Sequence, residues 1–213
     1  MESVGKIKDM FKQMRDPVKL VVFTDKEEMC PACNETLAIL ESIMQYTDKI
    51  MLQEISLISE KEEAAKYGVT RAPTIIFKDF GIKYTGAPIG LETAPFIQTI
   101  LMASTGETPH GPLVSKKLEK IKQEGNLIVI VTPTCPYCAQ AVLLENSLAI
   151  ISPKVNVEIV ESYENPDIAR KFQVTGVPVT IVNSKEKITG IPNLAILINK
   201  LVADESNLDL MYG

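Results

Sequence analysis

The chain of 213 residues has a single histidine, His110, and it lies in a Gly- and Pro-rich stretch. A cysteine–histidine nucleophilic pair at two separate sites is therefore excluded, and with it a cysteine-protease reading. Cysteine is also scarce: the chain has four, all in two C-x-x-C pairs, Cys30/Cys33 and Cys135/Cys138. A secreted disulfide scaffold would be smaller and richer in cysteine, so we expect a cytoplasmic protein whose cysteines are catalytic or metal-binding. No apolar run approaches the roughly 18 residues that a membrane helix needs, so no membrane partner is expected. The first residues mix charges and lead into an amphipathic helix, which argues against a signal peptide. Lys and Arg number 22 against 27 Asp and Glu, a net charge of −5. That balance argues against nucleic acid as the main partner, because phosphate contacts need clustered cations. The loop Gly86–Gly90 lacks both the Lys and the strand-loop-helix order of a phosphate-binding loop.

What is present has an ordinary globular balance, with 46% hydrophobic and 23% charged residues, and a length that suits two small domains. The pattern predicts a helix ending before Pro17 and a buried strand, Val18 to Thr24. Cys30-Pro31-Ala32-Cys33 then heads a helix with Leu37, Leu40, Ile43 and Met44 on its core face. A strand (50–58), a short helix (60–67), a strand from Thr74, its hairpin partner (82–85) and a closing helix (93–104) complete the order αβαβαββα. The polar, Gly/Pro-containing stretch Thr105–Pro112 is the best linker candidate. After it the order repeats: a helix (113–124) stopped by Gly125, a strand (127–132), a helix opened by Cys135-Pro136-Tyr137-Cys138, and the same later elements up to a closing helix (192–203). The last residues, 204–213, read as a tail docked through Leu208, Leu210 and Met211. Cys30 precedes Pro73 by 43 positions, and Cys135 precedes Pro178 by 43. Val-Thr stands at the same distance before both prolines, as Val69-Thr70 and Val174-Thr175. This register predicts two similar units in tandem, residues 1–108 and 109–213. A solenoid, whose repeats run roughly 20–50 residues, is excluded.

Two cysteines spaced C-x-x-C at a strand-to-helix turn are the layout of a dithiol redox site. The reactive species is a thiolate, and a helix N-terminus favours it through unpaired N–H groups and the macrodipole. Pro31 and Pro136 fit the first turn, where no N–H is needed. Cys30 and Cys135 are thus expected to be the attacking nucleophiles. Cys33 and Cys138, one turn further in and less exposed, are expected to be the resolving thiols. The alternative for the four cysteines is a zinc protein, a non-enzyme holding metal with both pairs. Their separation of 101 residues is far from the usual spacing of such sites.

Cys135-Pro136-Tyr137-Cys138 resembles the glutaredoxin motif. The whole chain, over roughly residues 1 to 203, resembles the protein disulfide oxidoreductases of archaea and some bacteria. The resemblance is carried also by Phe80-Gly81-Ile82-Lys83-Tyr84-Thr85-Gly86 and Thr132-Pro133-Thr134-Cys135. It implies an α/β chain of two tandem thioredoxin-fold units, each a central mixed sheet with helices on both faces. It further implies a cis proline at Pro73 and Pro178 against each C-x-x-C, with Ala72 and Val177 offering backbone groups to the substrate and Tyr137 at the rim. The implied activity is oxidation, reduction and isomerisation of disulfides in protein substrates, with electrons from a thioredoxin-reductase-like flavoenzyme. No cofactor beyond the redox-active disulfides is implied. An electron relay from a flavin reductase to a peroxidase is the alternative, although relatives of that kind usually keep only one of the two pairs. The approach to Cys30 is three residues longer than that to Cys135 and carries Asp25, Glu27 and Glu28. From the sequence we therefore expect Cys30 to be the slower nucleophile. Glu54 and Glu158 on the second strand of each unit are candidate bases for the resolving thiols, with a solvated strand face as the simpler alternative.

Overall fold

The computed structural model describes residues 2–26 and 28–202. The tail residues Leu208, Leu210 and Met211, and Glu27 of the acidic loop, lie outside the described residues.

Each half of the chain builds four strands. The first half comprises α1 (Glu2–Phe11), β1 (Val18–Thr24), α2 (Pro31–Met44), β2 (Ile50–Ser56), α3 (Lys61–Lys66), β3 (Thr74–Phe77), β4 (Ile82–Thr85), a 3-10 turn (Gly90–Glu92) and α4 (Thr93–Thr105). The second comprises α5 (Gly111–Leu118), β5 (Gly125–Val131), α6 (Cys138–Ile151), β6 (Val155–Glu161), α7 (Pro166–Lys171), β7 (Val179–Val182), β8 (Glu186–Thr189) and α8 (Leu194–Val202). Several boundaries differ from the sequence expectation, two of them at the entry to the second half. The helix after the linker ends at Leu118, and Gly125 opens β5 instead of stopping that helix. Gly125 packs against the end of the Leu201 side chain, where a Cβ would lie 2.6 Å from Leu201 Cδ2 and would ask that methyl to shift.

The interior strands are largely buried on both faces. In β1, Lys19 is the only exposed residue of the seven, as expected for strands covered on both sides. The two four-stranded sets join edge to edge in one eight-stranded sheet, in the order β2-β1-β3-β4-β6-β5-β7-β8. The join is a parallel ladder between β4 and β6, with Ile82 beside Val157 and Thr85 beside Val160. It is tight at Gly81, where a Cβ would meet the Val155 carbonyl oxygen at 2.6 Å. One large core lies on the face covered by α1, α2, α4, α5, α6 and α8, and it draws residues from both halves. Smaller clusters lie under α3 and α7 on the opposite face.

A buried polar network links the halves within the large core. Asn146 on α6 donates to the Tyr84 hydroxyl (2.9 Å) and to Thr99 Oγ1 (3.0 Å), which belong to β4 and α4. Burial pushes the Tyr84 phenol well above its usual range. Such a network rewards only one docking of the halves, since an unpaired buried polar group is costly.

Candidate active sites

β1, β2, β4, β6, β5 and β8 all run in one direction, with β3 and β7 antiparallel to them. The loops that carry both C-x-x-C pairs follow β1 and β5, so both sites lie on the same edge of the sheet. Four strand spacings separate β1 from β5, about 19 Å at the usual interstrand distance. Pro73 and Pro178 open β3 and β7 at that edge. Register puts Thr74 beside Phe23 and Val179 beside Ile130, so each proline stands next to the strand end that leads to a cysteine pair.

Each pair is closed as a disulfide, Cys30–Cys33 with Cα atoms 5.4 Å apart and Cys135–Cys138 with 5.5 Å. Ala72–Pro73 and Val177–Pro178 are both cis peptides. Both prolines are buried, and Ala72 and Val177 before them are half-buried. Each proline thus opens a strand beside the strand end from which the loop to a cysteine pair leads. Tyr137 is 62% exposed beside Cys138, at the rim. The zinc reading loses its basis, because each pair is closed on itself. Among the described residues no group of three or more His, Cys, Asp or Glu is assembled for a metal.

The two helix entrances differ. Cys30 is the N-cap of α2, with Pro31 in the first turn and the Cys33 N–H donating to the Cys30 carbonyl at 3.0 Å. In the second unit the helix begins only at Cys138, with Tyr137 as cap. The expectation that Cys135 sits directly at a helix N-terminus is therefore corrected: a turn through Pro136 and Tyr137 intervenes. Cys135 is 6% exposed and Cys138 0%, in the predicted order, whereas Cys30 and Cys33 are both 2% exposed.

The candidate bases also separate. Glu158 accepts a hydrogen bond from Thr85 Oγ1 (2.6 Å) and pairs with Lys83 (3.0 Å). Its neighbours Val157 and Ile159 face the large core with Cys138, so Glu158 points to the opposite face and cannot serve that thiol. Glu54 lies on the α2 face and accepts from Thr24 Oγ1 at 2.7 Å.

Two other carboxyls, unremarked in the sequence, are buried near the second site. Glu92 is 2% exposed and neither of its oxygens has a hydrogen-bond partner. Burial first, then nearby Glu161, push it up to about 7. Its turn belongs to the first half but is seated on the second: the Leu91 N–H donates to the Pro133 carbonyl at 2.8 Å, two residues before Cys135. Glu145 lies two turns past Cys138 in α6 and is fully buried. It accepts from Thr180 Oγ1 at 2.6 Å, its other oxygen is unpartnered, and burial pushes it up to about 8. A sequence signal for Glu145 existed: Cys138, Ala141, Val142, Glu145 and Leu148 form one helical stripe in which only Glu145 is charged. Glu92 gave none, since an acid in a first helical turn is ordinary.

The first site is in turn braced by the second half. Arg71, adjacent to Ala72, makes two hydrogen bonds to Asp167 (2.9 and 2.5 Å) and one to Asn165 (3.4 Å). The guanidinium holds the Asp167 carboxyl below its usual range.

The model of a thioredoxin domain family matches residues 126–203. A probable thioredoxin of Archaeoglobus fulgidus is 36% identical over 83 residues, covering 35% of this chain and 86% of that protein. The structure of a protein disulfide oxidoreductase from Aeropyrum pernix superposes with a TM-score of 0.87 at 27% identity, covering 94% of this chain and 91% of that one. The amino-terminal domain of an alkylhydroperoxide reductase from Enterococcus faecalis superposes with a TM-score of 0.83 at 21% identity, covering 94% and 99%, a likeness of fold.

Proposed function

The chain belongs to the thioredoxin family, and on that premise we propose that it exchanges dithiols and disulfides on protein substrates through two sites. It is a thiol–disulfide oxidoreductase of two thioredoxin-fold halves. The observation that carries the reading is the duplicated site: two closed C-x-x-C pairs on one sheet edge, each beside a strand opened by a cis proline.

In the reducing direction, the Cys30 or Cys135 thiolate attacks one sulfur of a substrate disulfide. A mixed disulfide forms, and the departing substrate sulfur takes up a proton. Cys33 or Cys138 then loses its proton and attacks the Cys30 or Cys135 sulfur. The second substrate thiol leaves, and the enzyme retains the intramolecular disulfide. Counted from the dithiol, whose first proton is released as the thiolate forms, the enzyme loses two electrons and two protons and the substrate gains them. Run backwards, the same steps oxidise a dithiol. Ala72 and Val177 supply backbone groups for the substrate strand, and Tyr137 its rim contact. Redox equivalents reside in the two disulfides alone, and a flavoenzyme of the thioredoxin-reductase type restores the dithiols. The working compartment is the cytoplasm. What supports this is that every cysteine is committed to a C-x-x-C and that, among the described residues, no helix is long and apolar enough to cross a membrane. The unit boundary lies at 108/109, supported by the turn between α4 and α5.

Turnover on a protein disulfide with a chemical reductant tests the reading. Cys30→Ser/Cys135→Ser should abolish it, and unchanged turnover in that variant refutes it.

A further inference from the structure

Among the described residues, eight large hydrophobic side chains are exposed, and six of them share one place in the fold. Ile58, Met29, Leu91, Tyr163, Tyr137 and Ile191 each follow the C-terminal end of a different strand: β2, β1, β4, β6, β5 and β8. Those are all six strands that run toward the catalytic edge. One exposed apolar side chain therefore follows each of those six strands, on both sides of and between the dithiol sites, while β3 and β7, which begin at this edge, add none. Met29 (73% exposed) adjoins Cys30 and Tyr137 adjoins Cys138, while Leu91 (50%) and Tyr163 (67%) follow β4 and β6, the two central strands of the sheet. Scattered surface hydrophobics are ordinary, but six gathered along one edge of a sheet point to an interaction site.

The same edge is acidic. Glu28 and Glu35 are exposed near the first site and Glu164 near the middle. Lys26, Lys61 and Arg71 are cations at this edge, and Arg71 is engaged by Asp167. Glu164 also accepts a hydrogen bond from the Ala87 N–H at 2.9 Å. That bond holds the central loops of the two halves together, so the floor between the sites is built.

We propose that the catalytic edge is a single strip that binds one extended, unfolded polypeptide bearing apolar and basic side chains, in contact with both dithiol sites at once. The inference rests on the protein-disulfide reading above and adds the class of substrate. Length agrees: about 19 Å between the sites is spanned by roughly six residues of extended chain. Charge complementarity and continuity with the two sites select this occupant over a folded acidic partner.

The test uses the full chain and two disulfide peptides. One is a compact ring of about eight residues that fits one site. The other is an unstructured peptide of about 30 residues, rich in Leu and Lys, with one internal disulfide. Leu91→Ser/Tyr163→Ser alters the strip midway between the sites. It should raise KM for the long peptide tenfold or more and change the ring by less than twofold, the ring serving also as the check on folding. On the unaltered protein, replacing the long peptide's lysines by glutamates should raise KM tenfold or more. Equal effects on both peptides, or indifference to peptide charge, overturn the strip while leaving the dithiol reading intact. If the unaltered protein reduces neither peptide, both readings fall. Self-association abolished by Leu91→Ser/Tyr163→Ser would assign the strip to a second copy of the chain and overturn the proposal.

Discussion

Glu145→Gln should stabilise the protein by an amount that grows with pH. Glu145 is fully buried in α6, with one oxygen bonded to Thr180 and the other unpartnered. Burial pushes its carboxyl from the ordinary 4.5 up to about 8. Between those values the folded chain keeps a proton that the unfolded chain has released. Stability is therefore complete below pH 4.5 and falls as pH rises, by about 1.4 kcal/mol per unit, until it levels above pH 8. The loss amounts to about 3 kcal/mol at pH 7 and about 5 kcal/mol above pH 8. Gln keeps the neutral shape and still accepts from Thr180, but it cannot ionise. The variant should thus match the parent at pH 5 within about 1 kcal/mol and exceed it progressively above that. Urea unfolding of the oxidised protein at pH 5, 7 and 9 measures this. At a slope of roughly 2 kcal/mol/M, the midpoint difference at pH 7 should be roughly 1.5 M. A difference that stays constant across the range would show that Glu145 ionises as freely in the fold as out of it, and the burial argument would fail.

Glu92→Gln should act in the same direction through an earlier window. The carboxyl at about 7 gives a gain that rises from pH 4.5 and levels near pH 7 at about 3 kcal/mol; a gain still rising at pH 9 would contradict it. In the reduced protein, iodoacetamide should modify Cys30 faster than Cys135 at pH 7, reversing the expectation drawn from the acidic approach loop. Cys30 caps a helix, an effect of up to about 2 kcal/mol, while exposed carboxylates such as Glu28 count for about 1 kcal/mol or less each. Rates measured with the other pair changed to serine decide it, and a faster Cys135 refutes the helix argument. Gly81→Ala should cost about 1–3 kcal/mol, because its Cβ would meet the Val155 carbonyl at 2.6 Å across the join of the halves. Thermal unfolding checks this, and an unchanged midpoint would mean that the β4–β6 ladder yields without cost.

Local chemistry made much of this protein legible from its residues alone. Strand runs such as Val18–Thr24, the helix entrance at Pro31, and the spacing of each cysteine pair from its proline are properties of short segments or of their repetition. Repetition needs no knowledge of contacts. The sequence also separated the copies by the length of the approach to each pair, which survives as the different entrances to α2 and α6. Helix N-termini were harder to place, because the turn Pro136-Tyr137 and a first helical turn have the same composition.

Tertiary structure alone decided what the two copies do to each other. Each half leaves a strand edge open, and only the pairing of β4 with β6 shows that both edges are consumed in one sheet with both sites on one side. That pairing seats Leu91 on Pro133, so that a glutamate of one half, Glu92, is buried against the loop that leads to the dithiol of the other. It also aligns six exposed side chains, separated by up to 162 positions in sequence, into a single row. No pattern along the chain encodes these relations, because each depends on which surfaces are buried together.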